Sequence, residues 1–153
     1  WELHKLHHSA NKKSIFTASR EHPLIVAVSN ILTAIPTALL GVRAEVLFVY
    51  FGFQGVYNMF LHSKVDPFPS WATFMITTND HYIHHSTNPK HYSKNYGMVL
   101  SIWDKIFGTY YEPEKNKIIQ FGIKDENYNR DYYFKEIVFV FRRWLKQLLP
   151  VRR

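Results

Sequence analysis

Cysteine is absent from this sequence of 153 residues, and its absence excludes several kinds of site at once. Without thiols the chain cannot form disulfides, zinc–thiolate centres or a cysteine nucleophile. Any metal ion that it binds must therefore be held through nitrogen or oxygen atoms, supplied by histidine or by carboxylate side chains.

Two motifs of soluble metalloenzymes are also missing. The H-E-x-x-H motif of zinc hydrolases does not occur, because Lys5 and Tyr82 stand where that motif would place glutamate. The Glu-x-x-His pattern that binds paired irons in soluble helix bundles is missing as well. Histidine is thus the main candidate ligand.

Acidic residues are few, so 19 lysines and arginines outweigh 12 carboxylates and leave a formal charge of +7. A basic balance suits nucleic acid, but the sequence holds no recognition motif and no basic stripe along a polar helix. We therefore expect these cations to meet the anionic headgroups of a lipid bilayer, and we expect no nucleic-acid partner.

Charged side chains are missing from residues 23–42 and again from residues 46–61. The first run is long enough to cross about 30 Å of hydrocarbon as a helix, whereas the second is short for a full crossing. Arg43 and Glu45 separate the two runs. The pattern predicts an all-α fold, in which an integral membrane helical hairpin (23–61) carries a histidine-lined helical catalytic cap on its cytosolic side.

Such a hairpin would return the chain to its starting side and divide the sequence into two parts. Residues 1–111 are predicted to form the histidine-box catalytic region, and residues 112–153 a basic extension at the membrane interface. The expected local structure is a non-helical connector at 66–69, a helix at 70–86, a short buried helix or turn at 101–111 and an interfacial helix at 132–149.

Histidine is concentrated in two clusters of identical spacing. Residues 4–8 and residues 81–85 both have the pattern H-x-x-H-H. Positions i, i+3 and i+4 lie on one face of a helix, so each cluster can direct three imidazoles to a common point. Six nitrogen ligands exceed the need of one tetrahedral zinc and favour two metal ions. The predicted ligands and catalytic residues are His4, His7, His8, His81, His84 and His85.

Other residues are predicted to complete this site. His62 directly follows the second apolar run and would face both clusters, His22 is a further candidate ligand, and His91 is predicted to be solvated in a polar loop. A group that accepts the outer N–H of an imidazole fixes the tautomer of a metal ligand. The polar candidates for this role are Asp80, Asn79, Asn95 and Asp104. The residues predicted to cover the site are Trp103, Phe107 and Tyr110.

In their order and spacing, these motifs resemble the fatty acid hydroxylase / sterol desaturase superfamily. The resemblance covers residues 1 to about 111, and residues 112–123 look more loosely like its alkylglycerol monooxygenase branch. The matching segments are both histidine clusters with the serines that follow them, FLHS at 60–63, KNYG at 94–97 and WDKIFGTY at 103–110.

The resemblance implies a membrane-bound, O2-dependent enzyme that hydroxylates or desaturates an unactivated C–H bond of a fatty acyl, sterol or alkylglycerol lipid. It implies two irons held by histidine alone, and an external electron donor such as a b-type cytochrome or a ferredoxin. The expected location is a bacterial inner membrane or the endoplasmic reticulum, with the active site facing the cytoplasm. Family members carry a further H-x-x-x-H box before the tryptophan that corresponds to Trp1. We expect that box upstream, and we expect the 153 residues alone to hold fewer than two irons.

The residues leave two other interpretations open. The histidines could hold zinc in a membrane hydrolase, or the chain could be a non-catalytic membrane scaffold with the same fold. Iron with oxygen-dependent turnover would distinguish the oxygenase from the zinc hydrolase. The upstream box would distinguish an enzyme from a scaffold.

Overall fold

A computed structural model of the chain describes residues 1–66, 68–69, 71–114, 118–124, 128 and 133–149. This part is helical, as the sequence predicts, with two isolated β-bridges and no strand. Its helices are α1 (Lys5–His8), α2 (Pro23–Leu39), α3 (Ala44–Leu61), α4 (Thr78–His84), α5 (Ile102–Ile106) and α6 (Tyr133–Leu148). Two 3₁₀ turns lie at Ile15–Ser19 and Pro89–His91. Some predictions fall on residues outside the described ones. These are Pro67 in the predicted connector, Ser70 at the start of a predicted helix and Tyr132 at the start of the predicted interfacial helix. Most of 125–132 and all of 150–153 also lie outside the described residues.

Helices α2 and α3 form over the two uncharged runs, where the sequence predicts a helical hairpin. Pro23 occupies the first turn of α2, where its missing N–H is not needed. The chain then turns at Gly41, whose φ of 73° lies in the left-handed region that glycine adopts without strain. No residue of α2 is buried, and Leu39 at its end is 84% exposed. Among the described residues, no helix is both long enough and apolar enough to cross a membrane.

The end of α3 returns to the beginning of α2. The Asn58 side chain donates a hydrogen bond of 3.4 Å to the Ala18 carbonyl, in the turn that precedes α2. Tyr57 and Leu61 are the buried residues of α3, and they pack with Ile76. The return places His62, immediately after α3, at the centre of the histidine-rich region.

The predicted helix over 70–86 is wrong in its first half, because α4 begins only at Thr78. The backbone before α4 makes contacts to another segment: the Ile76 N–H donates to the Val99 carbonyl at 2.8 Å. Thr77 and Asp80 then form a reciprocal capping box, which satisfies the free N–H groups of the first turn and starts the helix.

The segment between the second 3₁₀ turn and residue 111 is organised by a buried carboxylate. Asp104 accepts hydrogen bonds from the N–H groups of Tyr96 (2.8 Å) and Gly97 (2.7 Å). It also accepts one from the Thr109 hydroxyl at 2.6 Å. The predicted buried character of 101–111 is wrong for most side chains, since α5 is short and exposes them. Trp103 and Phe107, which are predicted to cover the site, are both exposed.

Helix α6 packs beside the first histidine cluster through two ion pairs in which the carboxylates are buried and the arginines are partly exposed. Arg20 pairs with Glu136 of α6 and also donates to the Ser9 hydroxyl at 2.7 and 2.9 Å. Arg143 of α6 pairs with Glu2 at 3.0 Å. A small core between these elements contains Leu3, Ile123, Tyr128 and Val140. The last helix therefore supports the first part of the chain.

We predict that Arg20→Met destabilises the fold by about 3–5 kcal/mol, because it leaves the carboxylate of Glu136 buried without this cation. Arg43→Met is the matched control, since the Arg43–Glu45 pair is exposed and such pairs contribute about 0–1 kcal/mol. Denaturant unfolding of both variants in detergent measures the difference. Equal stabilities would show that the buried pair does not hold α6.

Candidate metal centre

Seven histidines from three distant segments of the chain lie close together, and five of them are buried. His4, His7 and His8 come from α1 and the residue before it, and His62 follows α3. The remaining members are His81 and His84 on α4 and His85 at its C-terminal cap. The i, i+3, i+4 spacing places each cluster on one face of its helix, and the return of α3 adds His62 between them.

The seven side chains form two adjacent groups, each with its candidate ligand atoms within 4.8 Å of one another. The four-histidine group contains His7, His62, His81 and His85. The three-histidine group contains His4, His8 and His84. The groups are in direct contact, since the rings of His8 and His85 stack at a centroid distance of 4.2 Å. Two metal ions could thus be held side by side.

Distances within the four-histidine group fit shared coordination. His62 Nε2 lies 3.2 Å from His7 Nε2 and 3.2 Å from His81 Nε2. His85 Nε2 lies 3.0 Å from His81 Nε2. Nitrogens bound to one ion at about 2.1 Å would lie about 3.0 Å apart at right angles and about 3.4 Å apart at the tetrahedral angle. The residues therefore fit a nitrogen-coordinated metal ion.

The three-histidine group is the more open of the two. His4 and His84 are only half-buried, whereas His62 is fully buried. The rings of Trp1 and Tyr96 stand beside it, Trp1 at 5.2 Å from His8 and Tyr96 at 5.6 Å from His84. The buried Nε2 of His8 has no hydrogen-bond partner in the described part of the chain, which a metal ion would remedy.

Burial keeps these imidazoles neutral, which is the form that binds metals. It lowers the pKa of His4 to about 4, helped by the charge of His84, and the pKa of His62 to about 3, helped by that of Lys13. The pKa values of His7, His81 and His85 fall well below their usual range for the same first reason. At neutral pH each ring therefore keeps one nitrogen without a proton, which is available to a metal ion.

Backbone carbonyls orient two of the seven rings. His62 Nδ1 donates to the Asn58 carbonyl at 2.8 Å, and His84 Nδ1 donates to the Lys94 carbonyl at 3.1 Å. A carbonyl can only accept, so the proton stays on Nδ1 and Nε2 is left for the metal. Glu21 was not predicted, yet its Oε1 lies 3.7 Å from His7 Nδ1.

The predicted supporting residues act one step further out. The Asp80 carboxylate accepts a hydrogen bond from the Thr77 N–H and another, at 3.3 Å, from the Tyr110 hydroxyl. Asn95 donates to the Asp80 carbonyl at 3.0 Å and adopts a left-handed φ of 52°. Asn79 bonds to Asp66 instead. Together with Asp104, Asp80 and Asn95 hold the loop whose Lys94 carbonyl orients His84.

Two histidines lie outside both groups. His22 caps α2, since its Nδ1 accepts from the Leu24 N–H at 3.1 Å, and its ring stacks on Phe141. His91 was expected to be solvated, but it is buried with its ring 4.9 Å from that of Tyr111.

Comparison with known proteins agrees with the motifs. The family model of the fatty acid hydroxylases matches residues 1–109. The chain belongs to the fatty acid hydroxylase family. It is 34% identical over 120 residues to alkylglycerol monooxygenase of Homo sapiens, covering 78% of this chain and 26% of that protein. It is 28% identical over 124 residues to ornithine lipid hydroxylase OlsE of Rhizobium tropici, covering 80% of this chain and 38% of that protein.

The match to alkylglycerol monooxygenase of Danio rerio is similar, at 32% identity over 120 residues, 78% of this chain and 26% of that protein. The chain spans about a quarter of the length of these monooxygenases. No solved structure matches the chain.

We predict that His81→Ala lowers the metal bound per chain, because His81 Nε2 lies between two other ligand nitrogens of the four-histidine group. The matched control is His22→Asn, which replaces a histidine outside both groups and retains a good helix cap. Elemental analysis of the purified proteins measures the difference. Equal metal content in both variants would contradict the site.

Lys13 is a second feature that the sequence did not indicate. It is buried, and its amine has no hydrogen-bond partner within the described residues, although the Phe121 ring lies 5.9 Å away. Burial lowers the pKa of Lys13 from 10.5 to about 6. After burial itself, the charge of Lys13 is among the causes that lower the pKa of the histidines in both groups.

The unfolded chain binds the proton of Lys13 more tightly than the folded chain does, because folding lowers the pKa of Lys13 from 10.5 to about 6. This difference lowers the free energy of unfolding below pH 10.5. The loss of stability is complete below about pH 6 and shrinks as the pH rises from about 6 to 10.5. We predict that Lys13→Met stabilises the metal-free chain by a few kcal/mol at pH 7, and less at pH 10. Thermal melts at both pH values, with exposed Lys12→Met as control, measure this. An equal gain at both pH values would rule out the charge as the cause.

Proposed function

We propose that this chain carries the metal-binding part of a membrane-bound, O2-dependent lipid hydroxylase, in which two irons are held by histidine alone. The observation that carries the proposal is the pair of adjacent histidine groups, four and three nitrogens, in the cap. Imidazole is a suitable ligand for iron, and the absence of cysteine agrees with an all-nitrogen site.

When bound, paired irons would supply the redox chemistry by which O2 attacks an unactivated C–H bond, a reaction that side chains alone cannot perform. The chain supplies the geometry around it. His62 and His84 present Nε2 because their Nδ1 protons are held by the carbonyls of Asn58 and Lys94. The buried four-histidine group excludes water, while three protein ligands at the other group leave coordination positions open.

A lipid substrate is supported by the relatives, which are named for alkylglycerol and for ornithine lipid. Both of those names describe oxygen insertion, so we propose hydroxylation in preference to desaturation. Which lipid this chain accepts, among fatty acyl, sterol, alkylglycerol and ornithine lipids, is a matter for the product assay. Electrons would come from an external donor, a b-type cytochrome, a ferredoxin or a similar protein.

We also propose that α2 and α3 enter the bilayer and return, in a bacterial inner membrane or the endoplasmic reticulum, with the site on the cytoplasmic side. Their exposed surfaces are apolar, with Leu32, Leu39, Phe48 and Val49 among the most exposed side chains. Lys12, Lys13, Arg20 and Lys64 flank the ends where the two helices meet the cap, as the positive-inside bias favours. Of these four residues, Lys13 is buried. A lipid chain could then reach the histidines without entering water.

The test is anaerobic loading with Fe(II) of the longer protein that carries the expected upstream box, followed by addition of lipid, reductant and isotopically labelled O2. We expect one labelled oxygen atom in the lipid product, and we expect His85→Ala to abolish it while His22→Asn retains it. The 153 residues alone are expected to hold fewer than two irons and to give no lipid product. Mass spectrometry identifies the product, and Mössbauer spectroscopy tests whether the irons are paired.

Other outcomes would favour the other interpretations. Zinc with lipid hydrolysis would replace the oxygenase by a membrane hydrolase. Iron or zinc bound without any turnover, even with the longer protein that carries the expected upstream box, would indicate a scaffold.

A further inference from the structure

Helix α6 has an inner face that is fixed to the histidine-bearing cap. Val140 and Glu136 are fully buried, and Glu136 pairs with Arg20. Tyr133 donates a hydrogen bond of 2.9 Å from its hydroxyl to the Glu21 carbonyl. The single acidic residue of the helix, Glu136, is therefore directed inward.

The outer face of α6 is apolar and exposed. Its members follow one another at spacings of four, three, four and three residues, which places them in one stripe along the helix. They are Phe134, Val138, Phe141, Leu145 and Leu148. Phe134 is 80% exposed. The stripe runs the length of the helix, about 24 Å.

A basic column lies beside this stripe, roughly 100° around the helix. It consists of Lys135, Arg142 and Lys146, all exposed. The exposed part of the helix therefore offers apolar and positively charged surface but no negative charge. This is the arrangement of a helix that lies in the plane of a bilayer, with its apolar face among the acyl chains and its cations among the headgroups.

The stripe is continuous with other surface that is expected to meet lipid. Phe141 stacks on His22, which caps α2, and Leu24 and Ile25 at the base of α2 pack against the core that contains Val140. The exposed apolar surface of α2 thus begins beside α6. A protein partner would have to cover both surfaces, whereas one bilayer surface can meet them together.

We propose that the outer face of α6 binds the surface of a bilayer that contains anionic phospholipids. The proposal deepens the proposed function, since α6 pairs with Glu2 and with Arg20, which also bonds to Ser9 beside the first histidine cluster. A docked α6 would set the depth of the histidine groups relative to the lipid from which a substrate chain must emerge.

The absence of native cysteine allows a direct test. A fluorophore is attached to Leu145→Cys in the apolar stripe, or to Gln147→Cys on the opposite side of the helix. The labelled chains are incorporated in bilayers of phosphatidylcholine with and without phosphatidylglycerol, each containing a lipid that carries a quencher on its acyl chain. We expect quenching at position 145 in the anionic bilayers and little at position 147.

Charge reversal tests the role of the basic column. Arg142→Glu/Lys146→Glu should weaken the quenching at position 145 in anionic bilayers by about tenfold or more, since each cation contributes to attraction by the surface. The matched control, Lys90→Glu/Lys105→Glu, reverses two exposed lysines away from α6 and from the ends of the hairpin, and it should leave quenching unchanged.

Equal quenching in neutral and anionic bilayers, or equal loss in both charge-reversal variants, would overturn the proposal. A label at position 145 that is shielded from solvent in cell membranes but not in pure lipid bilayers would also overturn the proposal. That result would indicate a protein partner. Metal content and product formation are measured on the same chains. Because quenching does not depend on turnover, failure of the oxygenase proposal would be distinguishable from failure of the docking proposal.

Discussion

Seven imidazole rings can share one small interior volume only while each of them stays neutral, with a proton on one ring nitrogen and not on both. Each protonated ring would be a buried charge beside six others, and neither cysteine nor a dense set of carboxylates is present to neutralise it. The fold meets this constraint by burying the rings, which lowers the pKa of each, and by giving His62 and His84 carbonyl acceptors. Much of the cap, including the Asp80, Asn95 and Asp104 networks, serves to hold those acceptors in place.

The parts of the site that follow from periodicity could be predicted from the sequence. The repeated H-x-x-H-H spacing indicated two three-histidine faces, and the end of the second apolar run indicated that His62 would lie near them. The helical class and the approximate bounds of α2 and α3 followed from the uncharged runs. These features depend on residue type at fixed intervals, which a single sequence displays directly.

The parts that depend on backbone contacts could not be predicted. The carbonyls of Asn58 and Lys94 orient two rings, but any residue has a carbonyl, so nothing in their identity marks them. The start of α4 was misplaced because the Val99 contact to Ile76 comes from a distant segment. The burial of Lys13 could not be predicted either, since burial of a lysine beside histidines has no local sequence signal.

The contacts of Arg20 also bear on the order in which the protein can mature. Arg20 bonds both to Ser9 and to Glu136, and Glu136 lies 116 residues after Arg20 in the chain. The Tyr133 hydroxyl likewise donates a hydrogen bond to the Glu21 carbonyl. During synthesis the first histidine cluster therefore emerges long before the helix that holds it in place. The histidine groups are therefore complete and firmly held only after α6 has been translated, and a ribosome-bound chain would offer the histidines in a loosely held arrangement.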